Sequence, residues 1–181
     1  MASRSDFIYP NNGVPHSETK VASAPHPDVQ NSRVKIKDAV ITSMENLTHD
    51  TFLLTVKLDN NEHLESHAGQ YGTLKVDDLD KPRAFSFARG PNSEKKGEFS
   101  FFIKQIPGGL FSEYLKEDRT GQKIVLSGPM GQFKIDESNE DMVCIAGGSG
   151  MSAINAIVEE AAHSQVKRNC YFFYGARQQK D

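Results

Sequence analysis

The chain has 181 residues, enough for one large domain or for one domain and part of a second. Apolar residues make up 37% and charged residues 25% of it, which is the balance of an ordinary globular protein. Its net charge of -3 provides neither a basic face for nucleic acid nor an acidic tail, which argues against a polyanionic partner.

The termini and the cysteines bear on location. Residues 1–6 lack the apolar core of a signal peptide, and no later apolar run is long enough to span a bilayer, so we predict a cytoplasmic protein. Cys144 and Cys170 each lie in an apolar, strand-like run and are predicted to be buried. Two thiols are too few for an iron–sulfur cluster. His63 and His67 lack companion ligands in their polar loop, so we predict no metal site.

Two segments, residues 1–32 and 33–136, precede the part of the chain with an alternating strand and helix pattern. Residues 1–32 contain four prolines among polar residues and no apolar period, which predicts a disordered leader. Residues 33–136 contain short strands at a spacing typical of a closed antiparallel β-barrel, interrupted by a short helix over residues 110–117. The predicted strands are Val34–Ile41, Thr51–Leu58, Gln70–Val76, Arg83–Ala88, Glu98–Gln105 and Lys123–Ser127.

An acidic hinge at residues 136–141 marks the change to a different sequence pattern in residues 137–181. An apolar strand (142–146), a glycine turn (147–150), a helix (152–163) and a second strand (170–174) predict one βαβ unit of a parallel sheet. The apolar stripe predicted for this helix consists of Ile154, Ile157, Val158, Ala161 and Ala162. Two strands and one helix leave a sheet edge and an apolar face uncovered, so we expect a truncated product, a fragment or one piece of an assembly.

The first of four short motifs is Arg83-Ala84-Phe85-Ser86. Alternation along a strand puts Arg83 and Phe85 on one face. A guanidinium suits a pyrophosphate, an aromatic ring can lie against a flavin, and a hydroxyl can hydrogen-bond a ring nitrogen. Taken alone, a motif of this kind is much more often an edge strand with a surface arginine than a flavin site.

Three glycine-containing motifs follow in order. They are Gly108-Gly109-Leu110-Phe111-Ser112, Gly128-Pro129-Met130-Gly131-Gln132-Phe133 and Ala146-Gly147-Gly148-Ser149-Gly150. The first opens a helix whose unpaired N–H groups favour an anion. The last follows an apolar strand and opens an amphipathic helix, the context in which a glycine turn holds a dinucleotide pyrophosphate. A turn without a ligand is the alternative in each case.

Together with Gly69-Gln70-Tyr71, these motifs resemble the ferredoxin–NADP reductase superfamily, in its FAD-type form and close to the reductase components of bacterial oxygenases. The resemblance implies an antiparallel flavin-binding β-barrel with a capping helix, followed by an incomplete parallel βαβ nucleotide-binding domain. It implies FAD and NADH or NADPH as cofactors, and an iron–sulfur or haem protein or oxygenase component as electron acceptor. Its cofactor-binding residues would be Tyr71, Arg83, Ala84, Phe85, Ser86, Gly108, Gly109, Leu110, Phe111, Ser112, Gly147, Gly148, Ser149, Gly150 and Arg177.

The same resemblance implies individual roles. Arg83 would bind flavin phosphate, Phe85 would pack on the ribityl chain and ring, and Ser86 would be the catalytic residue beside flavin N5, the atom that receives the hydride. Phe85 stands where the family usually has tyrosine, and the missing phenol hydrogen bond is worth ~1 kcal/mol. The helix after Gly109 argues for FAD, since FMN-type members of the family lack it.

Gly175-Ala176-Arg177 ends the second strand, where the family distinguishes NADH from NADPH. Arg177 could meet a 2′-phosphate, yet the tripeptide also resembles NADH-using reductases of bacterial oxygenases, which favours NADH. An exposed arginine without a ligand role is the third interpretation. The predicted function is a flavin-dependent reductase that passes electrons from NAD(P)H through FAD to its partner. The alternatives are a non-catalytic FAD-binding fragment and a product that does not fold stably.

Overall fold

The computed structural model describes residues 34–178, apart from the side chain of residue 61. The predicted leader, residues 1–32, lies outside the described residues. The elements in chain order are β1 (Lys35–Asn46), β2 (Thr51–Leu58), β3 (Tyr71–Lys75), β4 (Arg83–Ser86), β5 (Glu98–Lys104), α1 (Leu110–Tyr114), β6 (Lys123–Met130), β7 (Met142–Gly147), α2 (Met151–His163) and β8 (Cys170–Gly175). Short 3₁₀ turns follow β2 and β7.

The first six strands form the predicted barrel. Their order is β4-β3-β6-β1-β2-β5, and each neighbouring pair is antiparallel. The two outer strands approach each other where the Ala88 N–H, just beyond β4, donates a hydrogen bond of 2.8 Å to the Ser100 carbonyl of β5. The sheet is therefore almost closed, which confirms the antiparallel barrel predicted from the strand spacing.

Alternation along the strands fills the barrel. In β2, every second residue from Phe52 to Leu58 is buried, and the opposite face is half-buried. Phe101 of β5 is fully buried and contacts the rings of Phe85 and Phe87. A period of two with apolar residues inside is what a barrel strand requires, because its successive side chains point in and out.

Several predicted boundaries are wrong. β1 continues to Asn46 with a bulge between Ile41 and Ser43, since it pairs with both β2 and β6 and is extended by the hairpin to β2. β6 continues to Met130 because β3 provides a partner for it. β4 and α1 end early, at Ser86 and Tyr114.

The last two strands pair in parallel, with Met142 opposite Cys170 and Gly147 opposite Gly175. α2 connects them, which confirms the predicted βαβ unit. All six residues of β8 are exposed, and Val143 and Ile145 of β7 are 63% and 71% exposed. Among the described residues, this small sheet therefore has an uncovered apolar face, as expected for two strands and one helix.

That exposure contradicts the predicted burial of one of the two cysteines. Cys144 is buried as predicted, but Cys170 is exposed because nothing among the described residues covers β8. Its Sγ lies 3.7 Å from that of Cys144, and both cysteines are free. Burial raises the pKa of the Cys144 thiol to about 11.

The predicted apolar stripe of α2 is only partly right. Ile154 and Ile157 are buried, whereas Val158 and Ala161 are half-buried and Ala162 is exposed. Other buried positions are Ser152 and Ala156. The buried face is turned because α2 packs on two surfaces: Ile154 meets Cys144 and Ala146 of β7, and Ala156 and Ile157 meet Ala68 of the barrel.

The acidic hinge is held by Arg168, which lies two residues before β8. Its Nη1 donates to Asp136 Oδ1 at 2.6 Å and to the Ser138 carbonyl and hydroxyl, each at 2.9 Å. The Arg168 side chain is almost fully buried, and Asp136 is largely exposed. The guanidinium, aided by Ser138, lowers the pKa of Asp136 to about 2.

We expect an acid-sensitive contribution from this contact. Because the folded-state pKa of Asp136 lies below its usual value of ~3.9, the contact stabilises the fold above about pH 4 and loses that effect as the pH falls towards 2. The Asp136→Asn variant should therefore lose less stability than the wild type between pH 4 and 2, as measured by urea unfolding. Glu137→Gln, which removes a neighbouring exposed carboxylate, is the control. If the free energy of unfolding falls equally steeply with pH in the wild type and in Asp136→Asn, the assignment is wrong.

Within residues 34–178, no helix is both long and apolar enough to cross a membrane. The same part of the chain contains no group of three or more His, Cys, Asp or Glu side chains that could hold a metal ion.

Candidate functional site

A ring contact joins the first two predicted motifs. The ring of Phe85 in β4 lies 5.2 Å from that of Phe111 in the first turn of α1, and 6.4 Å from that of Phe101 in the core. Phe85 is half-buried against the barrel core. The strand that carries Arg83 is thereby held next to the beginning of the helix.

Arg83 has donors available for a ligand. Among the described residues, its side chain makes one hydrogen bond, from Nη1 to the Pro82 carbonyl at 3.2 Å, and no ion pair. A guanidinium carries five N–H donors, so most of its capacity is unused. An arginine without a carboxylate partner among the described residues, on a strand that contacts the first turn of a helix, matches the chemistry of a pyrophosphate.

The beginning of α1 supplies backbone donors. The first intrahelical bond runs from the Glu113 N–H to the Gly109 carbonyl at 2.8 Å, so the N–H groups of Leu110, Phe111 and Ser112 have no partner within the helix. Gly108 has a φ of +74°, and a Cβ there would meet no atom within 4 Å, so the turn is open on that side. Unpaired N–H groups at an open turn fit a phosphate.

Ser112 has a task within the loop that the motif does not reveal. Its hydroxyl accepts a hydrogen bond of 2.9 Å from the Ile106 N–H, and the residue is buried. The Gly109 N–H donates to the Ile106 carbonyl at 2.9 Å. The Ser112 side chain therefore fixes the loop before the helix, and its N–H and its hydroxyl hydrogen remain for a ligand.

An acidic side chain shares this turn. Glu113 Oε1 accepts a bond of 3.3 Å from the Gly108 N–H, and its Oε2 pairs with Lys116 at 2.5 Å. Lys116, followed by the Gly108 N–H, lowers the pKa of Glu113. A phosphate that uses the Gly108 N–H must displace this carboxylate, so the N–H groups from Leu110 onward are the better donors.

Tyr71 and Ser86 lie side by side in the sheet. They are register partners in the β3–β4 pair, and Met130 of β6 faces Tyr71 on its other side. Tyr71 is 37% exposed, Ser86 is half-buried and Ala84 is exposed. The hydroxyl of Ser86 and the ring of Tyr71 can thus meet one ligand at this end of β3 and β4.

Gly69 and Gln70 join the motif before β3 to the turn after β6, a link that the sequence did not reveal. Gln70 Nε2 donates to the Gly131 carbonyl at 3.1 Å. Gly69 has a φ of +93°, and a Cβ there would lie 2.4 Å from the Phe133 carbonyl oxygen. Residues 131–133 therefore rest directly on the backbone at Gly69.

We expect Gly69→Ala to destabilise the protein more than Gly121→Ala does. Both glycines have positive φ, +93° and +85°, but a Cβ at Gly121 would meet nothing within 4 Å. The backbone penalty of ~1–2 kcal/mol is shared, while forcing a methyl group against the Phe133 carbonyl costs a further ~1–3 kcal/mol. Urea unfolding of both variants measures the difference, and equal losses would show that the close approach is not important.

The nucleotide motif lines a cleft of about 550 Å³. Gly147, Gly148 and Ser149 form one wall, and Arg177 closes the end of β8. Of the predicted nucleotide-binding residues, the structure thus brings these four together, and Gly150 lies outside the lining. The cleft lining is completed by Leu47, Thr48, Thr51, Phe102, Lys104, Met151, Tyr174, Gly175 and Ala176, and it includes none of the predicted flavin residues.

The barrel wall of this cleft was not predicted. Lys104 Nζ pairs with Asp50 Oδ2 at 2.7 Å, and this contact is the main cause that lowers the pKa of Asp50. The hydroxyls of Thr48 and Thr51 donate to Asp50 Oδ1 at 3.2 and 3.1 Å. In the sequence, this β1–β2 hairpin has only the composition of a turn, so no signal pointed to the cleft.

Comparisons with known proteins identify the family to which this chain is similar. Residues 38–135 match the family model described as the oxidoreductase FAD-binding domain. The xylene/toluene monooxygenase electron transfer component of Pseudomonas putida is 36% identical over 144 residues, which are 79% of this chain and 40% of that protein. The ferredoxin–NAD(P)(+) reductase component of the naphthalene 1,2-dioxygenase system of Pseudomonas putida is 32% identical over 149 residues, 81% of this chain and 44% of that protein.

A solved structure, the ferredoxin reductase in carbazole 1,9a-dioxygenase, superposes with a TM-score of 0.72 at 29% identity, covering 81% of this chain and 44% of that one. The chain thus spans less than half the length of the relatives it matches. The resemblance and the cofactors predicted from the sequence, FAD with NADH or NADPH, are confirmed as those of the family. The chain belongs to the oxidoreductase FAD-binding domain family.

Proposed function

We propose that this chain is the flavin-binding part of a reductase that passes electrons from NADH, through FAD, to an iron–sulfur or haem protein or an oxygenase component. The observation that carries the proposal is the contact between Phe85 and Phe111, which holds the strand of Arg83 beside the unpaired N–H groups of α1. The printed names of the relatives, electron-transfer and reductase components of oxygenase systems, support the same class of acceptor.

In this proposal, Arg83 and the N–H groups of Leu110 to Ser112 hold the FAD pyrophosphate. The arginine contributes two parallel N–H donors and a permanent charge, and the helix end contributes backbone donors without a side-chain entropy cost. The exposed part of the Phe85 ring contacts the ribityl chain. Its buried part is already occupied by the Phe101 and Phe111 rings, so its orientation is fixed before the cofactor binds.

Ser86 is the residue that we assign to the reacting end of the flavin. Its hydroxyl, at the end of β4 and opposite Tyr71, would donate to flavin N5 and keep the ring oriented. FAD supplies the chemistry when bound, because it accepts a hydride and returns the two electrons singly. The chain's own task is orientation and exclusion of water, so no acid–base pair is required of it.

The nucleotide cleft would hold NADH by its pyrophosphate. Gly147 to Ser149 bring backbone N–H groups to one wall, and a left-handed φ of +52° at Gly148 lets the chain turn sharply there. Lys104 adds a cation to the lining of the same cleft. We favour NADH because Gly175-Ala176-Arg177 resembles NADH-using reductases. Residues 33–136 and 137–181 remain our proposed flavin and nucleotide domains, and the cytoplasmic location stays a prediction.

Two measurements test this function. Titration of the apo chain with FAD and with FMN, followed by flavin fluorescence, should show a clear preference for FAD, because only FAD carries the pyrophosphate that α1 would bind. Addition of NADH and a one-electron acceptor such as ferricyanide should then give acceptor reduction that requires FAD. Binding of neither flavin, or equal affinity for both, would overturn the proposal.

A second function, FAD binding without catalysis, is favoured by the uncovered sheet. All six residues of β8 are exposed, and the chain spans less than half of its relatives. A chain of this kind would show flavin absorbance that neither NADH nor NADPH bleaches. The same titration, repeated with both nucleotides under anaerobic conditions, distinguishes the two functions.

A further inference from the structure

One turn of α2 holds the backbone that follows β4. Asn155 Nδ2 donates to the Ala88 carbonyl at 2.7 Å. Glu159, one turn later, accepts a bond of 2.9 Å from the Gly90 N–H and pairs with Arg89 Nε at 2.9 Å. Asn155 Nδ2 also donates to Glu159 Oε1 at 3.2 Å. We name Asn155 and Glu159 the α2 clamp.

The clamp closes on a tight contact between helix and loop. A Cβ at Gly90 would lie 3.2 Å from the Ala156 carbonyl oxygen and 3.2 Å from the Glu160 nitrogen, so the loop lies directly against the helix backbone. Beside this contact, Ala156 and Ile157 pack on Ala68 of the barrel. Polar and apolar contacts thus hold the same side of α2.

The position of the clamp connects the two predicted binding sites. Ala88 follows Ser86 by two residues, and its N–H is bonded to Ser100 of β5. Asn155 follows the nucleotide turn by five residues, counted from Gly150. A short, hydrogen-bonded path therefore leads from the end of β4 to the glycine turn.

The chemistry of the clamp favours a positioning role. An ion pair between half-exposed side chains alone would contribute little to stability. Here the two side chains engage a backbone carbonyl and a backbone N–H two residues apart, which fixes the direction of the loop as well as its distance. Such a contact defines geometry more than it adds binding energy.

We propose that Asn155 and Glu159 are positioning residues that set the nucleotide turn against β4, and with it the spacing between nicotinamide and flavin. The proposal rests on the proposed reductase function. Hydride transfer requires the two reacting atoms at ~3–3.5 Å, and a displacement of about 1 Å can cost on the order of 100-fold in rate. A device that fixes the two halves to each other is therefore expected to control rate rather than affinity.

The first test measures distance in the full chain without using its activity. Spin labels at Glu117→Cys on the barrel and His163→Cys at the end of α2, in a Cys144→Ala/Cys170→Ser background, should give one narrow distance distribution. Asn155→Ala/Glu159→Ala should broaden or shift it. Glu160→Ala is the matched control, because Glu160 meets the exposed Asn92 side chain and not the loop backbone. An unchanged distribution in the double variant overturns the proposal.

The second test uses the FAD-loaded chain. In Asn155→Ala/Glu159→Ala, the rate of flavin reduction by NADH should fall at least about tenfold, by the same proximity argument, with FAD and NADH affinities within about threefold of the wild type. The single variant Glu159→Gln keeps an acceptor for the Gly90 N–H, so it should retain part of the rate that Asn155→Ala/Glu159→Ala loses. Gly90→Ala, which displaces the helix without removing a side chain of the clamp, should reproduce the loss.

The outcomes separate two failures. If Asn155→Ala/Glu159→Ala loses FAD affinity, or if its thermal unfolding midpoint falls in proportion to its rate, the contact is merely structural. Either result would overturn the proposal. If the wild-type chain binds FAD but neither NADH nor NADPH bleaches it, the reductase function fails, and the distance measurement then decides the clamp by itself.

Discussion

Replacing Arg83 by alanine is expected to weaken FAD binding by about 10- to 100-fold. A hydrogen bond to a charged group contributes ~1.5–3 kcal/mol, and each 1.4 kcal/mol corresponds to about a factor of ten in affinity. Among the described residues, Arg83 has no acidic partner, so its loss should affect the ligand and leave the fold intact. Fluorescence titration of the apo variant with FAD measures the change.

Two further variants serve as controls for this prediction. Arg177→Ala removes an arginine from the nucleotide cleft and should leave FAD affinity unaltered. Arg83→Lys retains the charge but loses the planar pair of donors, so its affinity should lie between those of the wild type and Arg83→Ala. Unchanged FAD affinity in Arg83→Ala would remove this arginine from the phosphate site.

The barrel could be predicted because its strands carry their own signal. β2 is identical to its predicted range, and each of its inward positions is apolar. β1 and β6 were predicted too short because their ends depend on pairing with other strands, which local alternation does not encode. Existence and type of an element follow from its own residues, whereas its length here follows from its partners.

The face of α2 shows a second limit. An apolar stripe of period 3.6 indicates a single covered side, yet this helix is covered by β7 and by the barrel at once. Ala156 is fully buried because it meets Ala68, a residue 88 positions earlier. Contacts between distant segments of this kind have no counterpart in the local pattern.

Within the candidate site, motifs located the elements but not the tasks of single atoms. Ser112 was predicted as a phosphate ligand, and its hydroxyl has an additional task, since it accepts a hydrogen bond from the Ile106 N–H. Lys104 and the hairpin residues Thr48 and Thr51 line the nucleotide cleft, although none belongs to a motif. A motif specifies which backbone approaches a ligand, and tertiary packing decides which side chains remain available.

We expect the 181-residue chain to bind FAD well, whereas NADH and NADPH should reduce the bound flavin only slowly. The cleft offers a dinucleotide its glycine turn and Arg177, which can anchor the pyrophosphate and adenosine end. Within the described residues, the adjoining sheet has two strands, and β8 is exposed along its whole length. Nothing described there covers a nicotinamide ring, and a ligand held at one end loses much of the rate advantage of proximity.

Stopped-flow mixing of the FAD-loaded chain with NADH, and separately with NADPH, measures this difference. The reductase component of the naphthalene 1,2-dioxygenase system, mixed under the same conditions, is the positive control, since this chain corresponds to 44% of its length. We expect intact flavin absorbance with bleaching at least about 100-fold slower than in that control, the loss typical of a misplaced reacting atom. Bleaching as fast as in the control would show that two strands, one helix and the barrel wall suffice to hold the nicotinamide. In that case Lys104 and Thr48, which line the same cleft as the glycine turn, would be the first residues to replace.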